Sequence, residues 1–419
     1  MDINLARPID NWGGLAVCAA LFGLSRLRTA VGGARLPPMR ATTPPVPGRP
    51  PPAARRILAI KFYGLGNMVM ILPVVHALRE ALPGAEIEFL TLEDNRPLLE
   101  RSGLLHRVIG VDIADLRRFP GSLWRALRAV QGRRYDVVID FEQFVKLSAI
   151  LAFLSGAPER IGFNTDGQRR GWLYTTRVVY TDSEHMSRIF MRVLRPLGIE
   201  GAPRPVRLSL EPREQEAVAA LLEERGIGRR HFPLVAIHVG SGDNFYRVPL
   251  KRWPTAHFAG LADALGERHG AAIVLTGKGA EERTLIAETV AQMRRPAIDA
   301  SDRLSVTELA ALLARCHLVV ANDTSVMHLA AAVGTPVVAL FGPTAPLHYG
   351  PGNPDDLVFY KDLYCSPCLT NYNLKVSRCT DPVCIRTITV EEVLAGIEAR
   401  FLGPAAPLRA VLETRAAAS

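Results

Sequence analysis

The chain has 419 residues, 48% hydrophobic and 22% charged, with a formal charge of +9. That is too long for one ordinary domain and fits two of about 150 to 190 residues with tails, in a composition typical of soluble globular proteins. The excess charge does not mark a nucleic-acid binder, because no aromatics interleave with Arg and Lys and no helix-turn-helix or zinc-finger spacing occurs.

The N-terminal stretch, a segment 1–54 and the first residues after it, carries much of the charge. Arg26, Arg28, Arg35, Arg40, Arg49, Arg55 and Arg56 crowd the first stretch and are opposed only by Asp2 and Asp10, an arrangement suited to an anionic membrane surface. The uncharged run Trp12 to Leu24 is shorter than the about 20 residues a membrane span needs. It has neither the positive start nor the cleavage site of a signal peptide. Two readings stay open: a helix in the inner-leaflet interface with Arg26 and Arg28 among headgroups, or a helix that caps the folded domain. Residues 36–52 are dense in proline and read as an extended linker.

From residue 55 strands and helices alternate. Arg56 to Phe62 reads as a strand, Tyr63-Gly64-Leu65-Gly66-Asn67 as a turn, and an amphipathic helix follows through Ala81. Val69 occupies the place of the third glycine of a dinucleotide fingerprint, so that motif fails. Gly64 and Gly66 still allow a substrate close to the backbone. Tyr135 to Asp140 is another buried strand, and Asp140-Phe141-Glu142 brings carboxylates to the carboxyl edge of the sheet, where open α/β sheets bind ligands. Glu142 is the first candidate for a general base and Asp140 the second; the plainer role for Glu142 is to cap the helix Lys146 to Leu154.

After Pro203-Arg204-Pro205 the alternation restarts, dividing the chain into domains 55–205 and 206–402. Pro233 to His238 is a strand ending in the glycine-rich turn Val239-Gly240-Ser241-Gly242, and Lys251-Arg252-Trp253-Pro254 precedes a helix. Ala272 to Thr276 is a strand followed by Gly277-Lys278-Gly279 and by Glu281 and Glu282. Leu318 to Ala321 is a strand, Asn322 to Ser325 a polar turn, and the next helix stops at Gly334-Thr335-Pro336 before the strand Val337 to Phe341. The free N–H groups at that helix start suit an anion. Asp323 or Thr324 is the expected N-cap, and His328 lies one turn in, within reach of the same ligand. Cys365, Cys368, Cys379 and Cys384 form a C-x2-C-x10-C-x4-C cluster in the loop 364–385, suited to structural zinc or left as free thiols or a disulfide. Cys18 and Cys316 read as inert. The tail 403–419 is expected to fray.

The run Asn-Asp-Thr-Ser-Val-Met-His-Leu-Ala-Ala-Ala-Val-Gly-Thr-Pro-Val-Val-Ala-Leu-Phe-Gly-Pro-Thr, from Asn322, resembles the nucleotide-diphosphate segment of glycosyltransferase family 9, the ADP-heptose:lipopolysaccharide heptosyltransferases. Ile57 to Leu92, including Leu72-Pro73 and Leu82-Pro83-Gly84-Ala85-Glu86-Ile87-Glu88-Phe89-Leu90, resembles the family's first βαβ unit. The resemblance extends over Arg56 to Leu402. It implies an α/β glycosyltransferase B architecture, two Rossmann-like domains facing across a cleft, the first binding acceptor and the second nucleotide sugar. It further implies contacts of Ser241 and Lys251 with the diphosphate and of Glu281 or Glu282 with the ribose. His185 is expected to meet the acceptor or to dock a long helix through Leu197. One position departs from the pattern. Asn67 stands where the family places an Asp thought to be the general base, and a carboxamide can orient a hydroxyl but cannot take its proton.

The expected activity is that of an inverting, metal-independent transferase needing no catalytic cofactor. Lys251, Ser241, Gly242 and the Thr324/Ser325 backbone would assist loss of diphosphate, with His328 beside the phosphates. The resemblance implies ADP-heptose or a related nucleotide sugar as donor and a lipid-linked or surface glycan as acceptor. The protein would then lie on the cytoplasmic face of the inner membrane. Three alternatives remain: an inactive family member that binds nucleotide sugar, a membrane-attached scaffold, and a sugar-nucleotide epimerase.

Overall fold

Short, unbroken apolar runs such as Ile57-Leu58-Ala59-Ile60 and Val337-Val338-Ala339-Leu340-Phe341 are what strands covered on both faces require. The computed structural model of the chain is built on two sheets of such strands. It describes residues 10, 13–21, 23, 55–115, 117–228, 233–242, 249–373 and 375–402. The chain divides into two units, Met1–Val206 and Arg207–Ser419.

In the first unit the strands are β1 (Arg56–Ile60), β2 (Glu86–Leu92), β3 (Arg107–Val111), β4 (Val137–Asp140), β5 (Glu159–Asn164) and β6 (Thr176–Val179), in the order β3-β2-β1-β4-β5-β6. The second unit has β7 (Leu234–His238), β8 (Ala272–Thr276), β9 (Ile298–Asp299), β10 (Leu318–Asn322), β11 (Val337–Phe341) and β12 (Leu357–Tyr360), in the order β12-β11-β10-β7-β8-β9. Each neighbouring pair is parallel. Counted from its own first strand, each sheet has the doubly wound order 3-2-1-4-5-6, and the order reverses between its first and fourth strands. Those reversals lie at β1/β4, where Ile60 faces Asp140, and at β7/β10, where His238 faces Ala321. Ligands of such sheets bind outside the carboxyl ends of the strands at this point.

The helices near the reversals start where turn chemistry puts them. Helix α1 (Leu65–Ala81) follows Gly64, whose φ of 89° is a left-handed conformation that glycine adopts without strain. Helix α2 (Lys146–Leu154) follows β4, and α3 (Thr255–His269) and α4 (Ala280–Gln292) flank β8. Helix α5 (Ser325–Val333) has Thr324 as its N-cap, with Thr324 Oγ1 accepting from Val326 N at 3.2 Å, and it ends on Gly334 at φ 85°.

Of the N-terminal readings, the described residues bear on the docked one. The helical residues 14–21 bury Cys18 completely in the first unit's core, beside Leu58, Ile60 and Ala149. Asp10 accepts from the free N–H groups of Lys146 and Leu147 at 3.0 Å, capping α2 from far away in sequence. Ala16, Val17, Ala19 and Ala20 stay exposed. Trp12, Leu24, the arginines at 26, 28, 35, 40 and 49, the proline-rich linker 36–52 and the tail 403–419 lie outside the described residues. Among the described residues, no helix is long and apolar enough to cross a membrane.

The last helical stretch is in two parts. Helix α6 (Val390–Ile397) starts at a Thr389–Glu392 capping box and runs into a wider turn over Glu398–Leu402. Its Val393, Leu394 and Ile397, with Phe401, complete the second unit's core around Trp253. Trp253 Nε1 donates to the Ile388 carbonyl at 2.8 Å, and its backbone N–H to Asn322 Oδ1 at 2.9 Å. Trp253→Phe should leave that buried carbonyl unpaired and lower stability by about 2 kcal/mol, read as a lower urea midpoint at unchanged m-value.

Candidate functional site

At the second unit's reversal, Asn322 at the end of β10 braces the glycine-rich turn after β7. Its Nδ2 donates to the carbonyls of Val239 and Gly240 at 3.0 and 2.8 Å, while its Oδ1 takes the Trp253 N–H. The same stretch of β10 therefore positions both the turn and the segment carrying Lys251. Lys251 Nζ is paired with Asp323 Oδ2 at 2.5 Å, and Thr344 Oγ1 donates to that oxygen at 2.6 Å. Burial opposes ionisation of Asp323, but Lys251, then Lys375, and the hydrogen bonds from Lys251 and Thr344 hold its carboxyl below the usual range. Asp323 is thus the ion partner of Lys251, and Thr324 is the cap. Ser325 opens α5, half-buried, and His328 is buried one turn later.

Ser241 is buried, and its Oγ accepts from Arg252 Nε at 3.0 Å. Arg252 also pairs with Glu281 at 2.9 Å. Glu282 is the acidic residue against the turn: it accepts from Gly242 N at 3.0 Å and Lys278 N at 2.9 Å, and lies 3.6 Å from His238 Nε2. Burial works against its charge, yet His238 and the two N–H groups hold its carboxyl down at about 2. The fit is close, since a Cβ at Gly240 would lie 1.9 Å from Glu282 Oε1. Arg252 and Thr344 were not singled out from sequence, although Arg252 directly follows Lys251 in the segment that was.

At the first unit's reversal, Glu142 spans from the end of β4 to the end of β1. Its Oε2 is 2.9 Å from Lys61 Nζ, and its Oε1 accepts from Phe62 N at 2.8 Å and Tyr63 N at 3.0 Å. Both groups are buried. Burial raises the Glu142 carboxyl, but Lys61 and the N–H groups outweigh it and set it below its ordinary value. Both oxygens, expected to be available to a base, are occupied in fixing the turn that leads to Gly64 and Asn67. Nor does Glu142 cap α2, a part taken by Asp10. Asp140 accepts from Arg170 at 2.7 Å, Tyr174 at 2.6 Å and Glu142 N at 2.9 Å. Its carboxyl is pushed up by burial, with Arg170 and Tyr174 opposing. Gly66 is buried in the first turn of α1, and Asn67 is half-buried there with Nδ2 turned back to the Tyr63 carbonyl at 3.4 Å. His185 caps the short helix Met186–Met191 through Nδ1, accepting from Ser187 N at 3.3 Å, and a 3-10 turn replaces the rest of the expected long helix.

Cys365 is exposed, Cys368 and Cys379 are half-buried, and Cys384 is buried. Burial raises the Cys384 thiol, and each of the other three adds to that rise, so the four lie in one neighbourhood. Among the described residues, however, no three His, Cys, Asp or Glu side chains converge to hold a metal ion. The zinc expectation is therefore not carried further. The thiols sit at separate depths along the loop, and the backbone N–H groups of Cys368 and Leu369 donate to the Pro343 carbonyl just past β11.

Two measurements test this geometry. Glu142→Gln should destabilise the protein by about 3 kcal/mol by leaving the Lys61 ammonium buried and unpaired, and Lys61→Met in the same chain should recover part of the loss in chemical denaturation. The Glu282 carboxyl, depressed from its ordinary 4.5 to about 2, contributes stability that is present above about pH 4.5 and is lost as pH falls toward 2. In Glu282→Gln the fall of the denaturation midpoint over that interval should be shallower.

The geometry gives a brace, an ion pair and a capped helix start at one reversal, with a buried lysine–carboxylate pair at the other. A family model described as glycosyltransferase family 9 (heptosyltransferase) matches residues 121–376, more than half of the chain. The chain is similar to lipopolysaccharide heptosyltransferase 1 of Pseudomonas aeruginosa, 26% identical over 384 residues and covering 83% of this chain and 99% of that one. It is also similar to lipopolysaccharide heptosyltransferase 3 of Escherichia coli, 22% identical over 306 residues, covering 71% and 87%. Among solved structures, a glycosyltransferase family 9 protein of Veillonella parvula matches with a TM-score of 0.72 at 24% identity, covering 82% of this chain and 96% of that one. The Escherichia coli ADP-heptose heptosyltransferase II matches at 0.65 and 22%, covering 82% and 98%. These structures share the two parallel sheets, the α/β glycosyltransferase B architecture. With the family segment running through Glu142, Lys251 and Asp323, the chain belongs to glycosyltransferase family 9, the heptosyltransferases.

Proposed function

We propose that the chain transfers a heptose or related sugar from a nucleotide-diphosphate donor, ADP-heptose in the first instance, to a lipid-linked or surface glycan of the lipopolysaccharide type. The relatives' names supply that substrate class. The observation that carries the reading is the arrangement at α5, with Lys251 fixed by Asp323 beside a helix start capped by Thr324. Breaking the bond between the anomeric carbon and the phosphate oxygen leaves the electron pair on the diphosphate. Lys251, the free N–H groups of α5 and the Ser241–Gly242 turn stabilise that charge in place of a divalent ion. His328 supports the phosphates, and Glu282 accepts from the ribose hydroxyls.

The first unit takes the acceptor at the Gly64–Gly66 turn, with Asn67 Oδ1 accepting from the incoming hydroxyl. Attack opposite the leaving diphosphate inverts the anomeric carbon. In an oxocarbenium-like transition state the hydroxyl becomes strongly acidic only as its bond to carbon forms, so orientation by a carboxamide precedes proton loss to solvent. Glu142 and Asp140 hold the turn in this scheme. The exposed face of residues 14–21 and the arginines that follow hold the protein at the inner membrane face. A second reading, nucleotide-sugar binding without transfer, is favoured by one observation, the carboxamide at position 67.

Purified full chain with a panel of nucleotide sugars and a lipopolysaccharide acceptor should release one nucleoside diphosphate per sugar transferred, with ADP-heptose the best donor. Lys251→Met should lower turnover by about 100-fold or more, and Asn67→Asp should raise it. Donor binding with no turnover, even in Asn67→Asp, would select the inactive reading. Absence of binding to every donor would end both. Folded Glu142→Gln that binds donor and acceptor but has lost turnover would return the base to Glu142.

A further inference from the structure

In the first unit, the helix Phe119–Gln131 has an ordinary inner face and an unusual outer one. Ser122, Ala126 and Val130 are buried, while Gly121, Trp124, Arg125, Arg128 and Gln131 recur at helical spacing on the other side and are exposed. Trp124 is 58% exposed, although tryptophan is on average a well-buried residue. Charge is just as uneven. Between Asp115 and Asp136 the chain holds six arginines and no acidic residue. Arg133 pairs with Glu86 and Glu88 at 2.9 and 2.6 Å, and Arg118 lies 3.7 Å from Asp115. Arg117, Arg125, Arg128 and Arg134 have no acidic partner among the described residues. The Arg128 guanidinium lies instead 5.6 Å from the ring centroid of Trp124.

The N-terminal helical residues continue the apolar part of this surface. Cys18 and Leu21 belong to the same apolar cluster as Leu123, Ala126, Leu127 and Val130, so residues 14–21 and the helix Phe119–Gln131 share one core. On the outer side, Ala16, Val17, Ala19 and Ala20 are exposed. Charge decides what such a surface can meet. A second copy docking through the same patch would set unpaired arginines against their own kind. A protein partner needs a fully desolvated core, which a single large apolar side chain among arginines does not supply. An anionic bilayer fits both parts. Tryptophan favours the boundary between water and lipid, and arginine reaches headgroups while its stem lies along apolar surface.

We propose that the outer face of the helix Phe119–Gln131 docks on an anionic lipid bilayer, with Trp124 at its centre and Arg125 and Arg128 on the headgroups. The inference rests on the inner-membrane placement proposed above and gives it a contact made by the folded unit itself. Two helices of one core cluster then meet the lipid, which orients the first unit on the bilayer as well as holding it there.

The test is co-sedimentation of the full chain with vesicles of phosphatidylcholine alone and of phosphatidylcholine mixed with phosphatidylglycerol. Wild type is compared with Arg125→Gln/Arg128→Gln, Arg125→Lys/Arg128→Lys and Trp124→Phe, and thermal melting shows that each variant is folded. Wild type should prefer the mixed vesicles. The Gln pair should weaken that binding roughly 10- to 30-fold, and the Lys pair, which keeps the charge, should stay within about threefold of wild type. With saturating vesicles that carry brominated lipid, tryptophan emission should be quenched less in Trp124→Phe than in wild type, a difference that a purely structural role of Trp124 would not produce. ADP binding should be the same in every variant. Binding of the Gln pair at wild-type strength, an equal loss in the Gln and Lys pairs, or undiminished quenching in Trp124→Phe would overturn the proposal. So would a dimer of the wild type, seen without lipid, that the Gln pair dissociates. Should the Gln pair not fold, the quenching difference decides. If wild type binds no vesicle, the inner-membrane placement falls as well, whereas equal binding by wild type and the Gln pair removes the helix contact alone.

Discussion

In each unit one polar side chain at the carboxyl end of the fourth strand holds the turn that leaves the first. Glu142 accepts from the N–H groups of Phe62 and Tyr63. Asn322 donates to the carbonyls of Val239 and Gly240. The two braces are opposite in chemistry, an anion on N–H groups and an amide on carbonyls, yet they solve the same problem. A strand exit at a sheet reversal exposes backbone groups that no neighbouring strand pairs, and leaving them buried and unpaired is costly. Each brace satisfies them and fixes the turn at the sheet's reversal, the place where doubly wound sheets take their ligands.

The braces also separate two kinds of charged residue. Lys61 and Glu142 are both almost without exposure and use their charges on each other. Lys251 and Asp323 form a similar pair, but theirs sits at the start of a nine-residue helix whose first N–H groups have no intrahelical partner. A buried pair alone contributes little net stability. Beside a helix start it provides a fixed ammonium near a site that favours anions.

Local punctuation made much of the fold legible. The Leu318-to-Phe341 unit was readable from sequence because an apolar strand, a polar cap, a helix and a glycine stop follow in order, and Thr324 and Gly334 take the cap positions. Helix ends at Ala81 and Leu154 were readable for similar reasons. What stayed hidden depends on strand order and tertiary pairing. Nothing near Glu142 in sequence announces Lys61, and nothing near Lys146 announces Asp10. A carboxylate at a strand end can serve as base, cap or brace, and only its neighbours across the sheet decide among them. The same holds for His185, whose Nδ1 accepts from Ser187 N at the start of a short helix.

The capping of α2 by Asp10 ties the start of the described chain to the heart of the first unit. Asp10 grips the two N–H groups that begin α2, and Glu142 lies four residues before Lys146. The N-terminal helical residues, with Cys18 sunk in the same core, thus belong to the unit that carries Gly64 and Asn67. Loss of the Asp10 carboxylate would therefore leave the first N–H groups of α2 uncapped four residues from the brace on the β1 exit.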